Sequence, residues 1–231
     1  MPIRGTFHLF MIKLAIFDLD GTLLNTLDDL AGACNHALSQ CGCPTHPTEE
    51  YRLLVGRGIA NLFRGALPES MKSDEMVEKM RSYFLPYYNE HKCDLTRPYD
   101  GIEEMLKDLS DAGIQLAVAS NKYQEGTAEL INRYFKGFSF VKVLGQREGF
   151  PIKPDAGIVR EVMDELPGIN LDEVVYCGDS NVDMQTGINA GVRTIGVTWG
   201  FRSPEELAAY SPWMLAKSPS EISEALLSVR E

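Results

Sequence analysis

The chain has 231 residues, of which 44% are hydrophobic and 24% are charged, as in globular proteins that bury a core. This length allows one large domain or a domain with a smaller module. The formal net charge of −11 argues against binding to nucleic acid or to an anionic membrane, because no basic excess exists to neutralise phosphate groups.

Cysteine content and the N-terminal segment bear on location. The five cysteines are an odd count, which indicates reduced thiols and a cytoplasmic protein. The apolar stretch from Leu9 to Phe17 is short, contains Lys13 and runs into acids, unlike a signal peptide or a membrane span. The first ten residues suggest no role, and whether Met1 or Met11 is the true start is open, with Met11 as our hypothesis.

Five short apolar or β-branched runs predict parallel strands that are covered on both faces. In chain order they are Ile12–Phe17, Gln115–Ala119, Phe140–Leu144, Val174–Cys177 and Thr194–Thr198. Helix-period patterns separate the later runs, such as Ile102, Met105, Leu106 and Leu109 before the stop signal Gly113. This alternation predicts an α/β fold with a doubly wound, Rossmann-like parallel sheet.

The segment between the first two predicted strands breaks this alternation and predicts helices only. Its helix candidates are Leu30–Cys41, Ile59–Leu67 and Met71–Asn89, separated by turns with glycine or proline. We interpret it as an all-helical cap over the carboxyl edge of the sheet, with hinges near Thr26 and Pro98. The predicted domains are a core of residues 1–26 and 98–231 and a cap of residues 27–97.

Polar side chains follow four of the predicted strands, at the edge where open α/β sheets bind ligands. They are Asp18, Asp20, Gly21 and Thr22 after the first strand, Ser120, Asn121 and Lys122 after the second, Lys153 in the loop after the third, and Asp179, Ser180 and Asp183 after the fourth. Aspartates are also common in turns, and a serine can cap a helix. Four carboxylates together repel each other unless a cation shares the site, and oxygen ligands at this density suit Mg²⁺.

The segments DLDGTLLNT, SNK, IKPD and GDSNVDM resemble, in order and spacing, the four motifs of the haloacid dehalogenase-like (HAD) hydrolase superfamily. The resemblance covers essentially the chain after Met11. The helical insertion, the SNK tripeptide and the tail GVTWGFRSPEEL resemble its phosphoglycolate-phosphatase-like branch. This implies a Mg²⁺-dependent phosphatase of small phosphorylated metabolites, with phosphoglycolate as the first substrate to test. The second acid, Asp20, favours phosphate esters, because a halide leaves without protonation.

The resemblance also implies roles in catalysis. Asp18 would be the nucleophile that forms an aspartyl-phosphate, and Asp20 would protonate the leaving alkoxide and then deprotonate the attacking water. Lys153 and Ser120 would bind phosphoryl oxygens and balance their charge.

Further residues would complete the implied site. The main-chain amides around Asn121 and of the residues following Asp18, including Thr22, would add hydrogen-bond donors. Mg²⁺ would be held by Asp18, the main-chain carbonyl of Asp20 and Asp179, with Asp183 supporting it directly or through water.

The predicted cap contains one candidate for substrate selection. In LVGRGIANLFRGAL, Gly56 and Gly58 flank Arg57 just before a helix, an arrangement suited to an anion. The stretch resembles the specificity loop of related phosphatases. Our hypothesis is that Arg57 meets the non-phosphate end of the substrate, such as a carboxylate; the alternative is a solvated turn arginine.

Other functions stay open at this point. Within the superfamily the alternatives are a pyrophosphatase or a sugar-phosphate mutase. Outside enzymes, they are a phospho-accepting receiver domain, which has about half this length and no cap, or a binding-only homologue, against which the complete acid set argues. The sequence does not decide between a monomer and a homodimer.

Overall fold

The computed structural model describes residues 11–228; residues 1–10, which the hypothesis on the chain start concerns, and 229–231 lie outside the described part. The strands are β1 Leu14–Phe17, β2 Leu24–Asn25, β3 Arg97–Pro98, β4 Gln115–Tyr123, β5 Phe140–Gln146, β6 Val174–Gly178, β7 Arg193–Val197 and β8 Met214–Ala216. The helices are α1 Leu27–Gln40, α2 Ile59–Ala66, α3 Asp74–His91, α4 Ile102–Asp111, α5 Gln124–Tyr134, α6 Gly157–Met163, α7 Asn181–Ala190, α8 Pro204–Ala208 and α9 Pro219–Ser228.

The main sheet has six strands in the order β5-β4-β1-β6-β7-β8, and every pairing is parallel. The predicted fold class, a doubly wound parallel sheet, is therefore confirmed. The central strand β1 pairs with β4 on one side and β6 on the other. Residues at the carboxyl ends of these three strands consequently meet at one edge.

Alternating side chains of β1 explain why helices cover both faces of the sheet. Ala15 and Phe17 belong to a hydrophobic cluster with residues of α4, α5 and α9. Leu14 and Ile16 point the other way and belong to a cluster with residues of α6 and α7. A strand that is apolar on both sides can form only where both faces are covered.

Two strands differ from their predicted extent. β4 continues through Tyr123 instead of ending at Ala119, so Ser120, Asn121 and Lys122 lie within the strand. The polarity of these three residues is typical of a loop, yet all three are buried. β8 was not predicted, because an edge strand of three residues, two of them half-buried, leaves only a weak pattern.

The helical segment (residues 27–97) has a hydrophobic core of its own, built mostly from α1, α2 and α3. Phe84 is central to it, with ring centroids 5.2 Å from Phe63 and 5.1 Å from Tyr88. α3 begins at Asp74 because the Ser73 side chain accepts a hydrogen bond from the Met76 amide. This separate core supports the predicted division into core and cap, which stays a prediction.

The chain leaves the sheet domain at β2 and returns to it at β3, and these two strands lie side by side. β2 and β3 form a two-residue antiparallel pair that joins Leu24 to Pro98 and Asn25 to Arg97. The short β3 was not predicted, since the segment up to Arg97 showed no strand pattern. Buried Asp29 in α1 reinforces this junction by accepting hydrogen bonds from the amides of Leu95 and Thr96.

None of the described helices could cross a membrane. Between residues 11 and 228, no helix combines the length and the apolar character that crossing a bilayer requires.

Close packing between α7 and β7 gives a test of the fold. A Cβ added to Gly187 would lie 2.1 Å from Cγ2 of Thr194. We expect Gly187→Ala to lower the free energy of unfolding by about 1–3 kcal/mol, because overpacking outweighs the better helix propensity of alanine. Thr194→Ser removes this methyl and should recover most of the loss in the double variant.

Urea unfolding of the wild type, both single variants and the double variant measures this effect. A Gly187→Ala protein as stable as the wild type would contradict the packing of α7 on β7.

Candidate active site

The predicted site residues, except Arg57, lie at the carboxyl edge of the sheet. They are Asp18, Asp20 and Thr22 after β1, Ser120 and Asn121 in the last part of β4, Lys153 in the loop after β5, and Asp179 and Asp183 after β6. All of them are buried. The sheet order explains this convergence, because β1 lies between β4 and β6.

Three carboxylates form the centre of the site. Asp18, Asp179 and Asp183 each offer one oxygen, and these oxygens lie within 4.8 Å of one another. Burial raises the pKa of Asp18 from its ordinary 3.8 to about 7; Asp183 and Asp20 add to the rise, and Lys153 opposes it. Burial, followed by the charges of Asp183 and Asp18, also raises the pKa of Asp179 well above its ordinary value.

The ammonium group of Lys153 lies between two of these acids. Its Nζ is 2.9 Å from Oδ1 of Asp18 and 2.7 Å from Oδ1 of Asp183. It also donates to the hydroxyl of Tyr176 (3.0 Å), which donates to the carbonyl of Ala119 (2.8 Å). Burial lowers the pKa of Lys153, but the two acids outweigh burial and hold this pKa well above its ordinary value.

A close approach of backbone segments fixes Asp179. Gly21 has φ +84°, and a Cβ there would lie 2.3 Å from Oδ2 of Asp179, so a larger residue would displace the carboxylate. The amide of Phe201 donates to the same oxygen at 2.7 Å. Thr22 donates from Oγ1 to the other oxygen at 3.4 Å.

The start of α7 positions Asp183. Ser180 is the N-cap residue, and its hydroxyl accepts from the amide of Asp183 at 3.4 Å. In return, the hydroxyl and the amide of Ser180 donate to Oδ2 of Asp183 at 2.6 and 3.1 Å. This reciprocal capping requires the three-residue spacing seen in GDSNVD. Since Lys153 binds Oδ1, both oxygens of Asp183 already have partners within the protein.

Asn121 connects three parts of the site. Its Nδ2 donates to the carbonyl of Lys153 (3.1 Å) and its Oδ1 accepts from the amide of Lys153 (2.8 Å). The same Nδ2 donates to the carbonyl of Gly56 in the helical segment (3.0 Å). The hydroxyl of Ser120 accepts from the amide of Lys122 at 3.3 Å. This network places Lys153 beside the acids.

The carboxylate cluster fits a hard divalent cation. Its donors are all oxygen atoms, as such ions prefer. Burial is the main cause of the raised pKa values of Asp18 and Asp179, and the repulsion between the neighbouring carboxylates adds to it. A cation between these oxygens would offset that repulsion.

Lys122 received no role in the sequence analysis, yet the structure pairs it with Asp20. Its Nζ donates to both carboxylate oxygens of Asp20, at 3.0 and 3.1 Å. It also lies 4.8 Å from the ring centroid of Tyr88 in α3. The sequence held one signal for a role of Lys122 in the site. Lys122 is two residues from the predicted phosphate-binding residue Ser120, and residues at this spacing lie on the same face of a strand.

A cavity of about 50 Å³ separates these residues from the helical segment. Asp18, Asp20, Ser120 and Lys122 line it from the sheet. The lining from the other side is mainly apolar and comprises Leu30, Val55, Gly56, Gly58, Ile59, Leu62, Phe84 and Tyr88. Among the described residues, Lys122 is the only cationic side chain in this lining.

Arg57 is not brought to this cavity. Its side chain is exposed, and its neighbours Gly56 and Gly58 line the cavity instead. The role of Arg57 toward a substrate therefore stays a prediction.

Arg202 is a second residue that sequence reasoning missed. It is buried, and its guanidinium donates to the carbonyls of Leu53 (3.2 Å) and Val55 (3.0 Å). Arg52 makes the converse contact: it lies in the helical segment and donates to the carbonyl of Gly200 in the sheet domain (3.0 Å). These contacts hold the loop before α2 against the sheet edge.

Comparison with known proteins agrees with this geometry. The family model of haloacid dehalogenase-like hydrolases matches residues 15–197. A phosphoglycolate phosphatase of Vibrio parahaemolyticus is 33% identical over 93% of this chain and 96% of its own, and one of Pseudomonas savastanoi pv. phaseolicola is 31% identical over 88% and 75%. The crystal structure of a candidate phosphoglycolate phosphatase from Lactobacillus delbrueckii subsp. bulgaricus superposes with a TM-score of 0.87 and 32% identity, covering 94% and 98% of the two chains. The predicted family is confirmed: the chain belongs to the haloacid dehalogenase-like hydrolases.

Proposed function

We propose that this hydrolase is a Mg²⁺-dependent phosphatase of small phosphate monoesters, with phosphoglycolate as the leading candidate substrate. The observation that carries the proposal is the buried cluster of Asp18, Asp179 and Asp183 with Lys153 against it. The full-length similarity to proteins named phosphoglycolate phosphatase supports the choice of substrate.

The first half of the reaction uses Asp18 and Asp20. A carboxylate oxygen of Asp18 attacks the phosphorus and the bond to the ester oxygen breaks, which gives an aspartyl-phosphate. Asp20, which lines the same cavity, donates a proton to the leaving alkoxide. Lys153, 2.9 Å from Asp18, and the hydroxyl of Ser120 balance charge on the phosphoryl oxygens.

The second half returns the enzyme to its starting state. Asp20 takes a proton from water, the water oxygen attacks phosphorus, and inorganic phosphate leaves with Asp18 regenerated. The main-chain amides near Asn121 and Thr22 add donors for the phosphoryl oxygens.

The metal would be held by the acids at the same edge. Asp18, the main-chain carbonyl of Asp20 and Asp179 would be ligands, with Asp183 acting directly or through water. When bound there, Mg²⁺ would neutralise negative charge on the phosphoryl group.

The similarity to proteins named phosphoglycolate phosphatase supports a phosphatase over a sugar-phosphate mutase. We also propose a cytoplasmic location, which the free thiols of all five cysteines support.

Phosphate release from a panel of small monoesters and pyrophosphate tests the function. We expect turnover with Mg²⁺, none in EDTA, and a loss of at least about 10³-fold in Asp18→Asn, as for other enzymes without their nucleophile. The ranking of the panel identifies the substrate class. Folded, Mg²⁺-bound protein that turns over no ester would instead favour a mutase or a binding-only homologue.

Metal binding has a test that does not depend on activity. In EDTA we expect Asp179→Asn to raise the melting temperature, because it removes one of three repelling carboxylates. Added Mg²⁺ should raise the melting temperature of the wild type, because it binds the folded state, and should raise that of the variant much less. Differential scanning calorimetry measures both effects, and equal Mg²⁺ responses would exclude Asp179 as a ligand.

The predicted role of Arg57 can be tested by steady-state kinetics. If its guanidinium pairs with a substrate carboxylate, Arg57→Ala should lower kcat/KM about 10- to 100-fold, the usual range for a lost charged hydrogen bond. Arg64→Ala is a matched control, since Arg64 pairs with exposed Asp74. An unchanged kcat/KM in Arg57→Ala would end the hypothesis.

A further inference from the structure

We propose that Lys122 is a positioning residue, which holds the carboxylate of Asp20 in place for proton transfer to the leaving group. The inference rests on the proposed phosphatase function and adds a residue to it. Asp20 pairs with Lys122, which lies in β4, and Asp18 pairs with Lys153, which lies in the loop after β5.

The contact between Lys122 and Asp20 restrains the carboxylate at two points. Both oxygens accept from the same ammonium group, at 3.0 and 3.1 Å. Within residues 11–228, these are the hydrogen bonds that the structure gives to this carboxylate. Loss of Lys122 would therefore free the carboxylate of Asp20 to turn about its side-chain bonds.

Lys122 is itself fixed from two sides. Its side chain is only 3% exposed, and its ammonium lies over the ring of Tyr88, which is completely buried. Its main chain is held by Ser120, which accepts from the amide, and by Thr127, which donates to the carbonyl. The lysine therefore joins the acid of the sheet edge to α3 of the helical segment.

Proton donation is needed most when the leaving group is a strong base. An alkoxide leaves slowly without a proton, whereas 4-nitrophenolate is a weak base and leaves without one. A residue that positions the acid should thus slow the release of an alkoxide in the first turnover and hardly slow the release of 4-nitrophenolate. The later hydrolysis of the aspartyl-phosphate is common to both esters, so the comparison applies to this first turnover. A residue that binds phosphate or stabilises the fold should affect both esters alike.

The first experiment compares Lys122→Met with the wild type on the best alkyl phosphate of the panel and on 4-nitrophenyl phosphate. We expect the single-turnover rate of alcohol release from the alkyl ester to fall about 10²-fold, at the low end of the range for general acid catalysis. The single-turnover rate of 4-nitrophenolate release should change less than about threefold, and so should the concentration of each ester that gives half the maximal single-turnover rate. Lys122→Arg should recover part of the alkyl activity, because it can still donate to both oxygens.

A double-mutant cycle shows whether Lys122 acts through Asp20. In an Asp20→Asn background, Lys122→Met should cause little further loss with the alkyl ester. Lys92→Met is the matched control: Lys92 is also a buried lysine that joins α3 to the sheet domain, through Glu129 in α5, but it does not line the cavity. This control should retain the wild-type ratio of the two activities. If Lys122→Met does not fold, as judged by circular dichroism, Lys122→Gln takes its place.

Three outcomes would overturn the inference. Equal losses on both esters would make Lys122 a phosphate-binding or structural residue. A raised KM confined to esters that carry a carboxylate, with kcat kept, would make it a substrate contact. Additive losses with Asp20→Asn would show that it acts independently of Asp20. A wild-type protein inactive on both esters is distinguishable from all three, since it removes the proposed function itself.

Discussion

Lys153 places its ammonium group 2.9 Å from Asp18 and 2.7 Å from Asp183, at a point shielded from water. Three carboxylates share this region, and one lysine cannot balance them, so burial and mutual repulsion raise the pKa of Asp18 and of Asp179. Without Lys153 the cluster would repel itself still more strongly. With it, the site keeps an excess of negative charge that suits a divalent cation.

The fold makes this arrangement possible by bringing separate strand ends to one edge. β1 supplies Asp18, the end of β6 leads to Asp179, and the loop after β5 carries Lys153, which Asn121 in β4 holds by two hydrogen bonds. The helical segment then closes over this edge through Asn121 and Arg202. These contacts shield the acids from water, and they come from several parts of the chain, so no single motif contains them all.

The sequence predicted the parts whose cause is local. Continuous apolar runs indicated the central strands, and the spacing in GDSNVD follows from one helix cap. The end of β4 was misjudged because burial of Lys122 depends on Asp20, 102 residues away, and on Tyr88 of another segment. Arg57 shows the converse: a local pattern predicted an anion contact, but the residue is exposed and does not line the cavity.

Chemical trapping tests most directly the claim that Asp18 carries the phosphoryl group and Asp20 is needed to release it. Asp20→Asn mixed with 4-nitrophenyl phosphate should accumulate the aspartyl-phosphate, because a good leaving group departs without the acid while hydrolysis lacks its base. Quenching with borohydride reduces an acyl phosphate to an alcohol, which peptide mass spectrometry locates. The account predicts substrate-dependent reduction at Asp18; reduction at another residue, or none during a burst of 4-nitrophenolate, would contradict it.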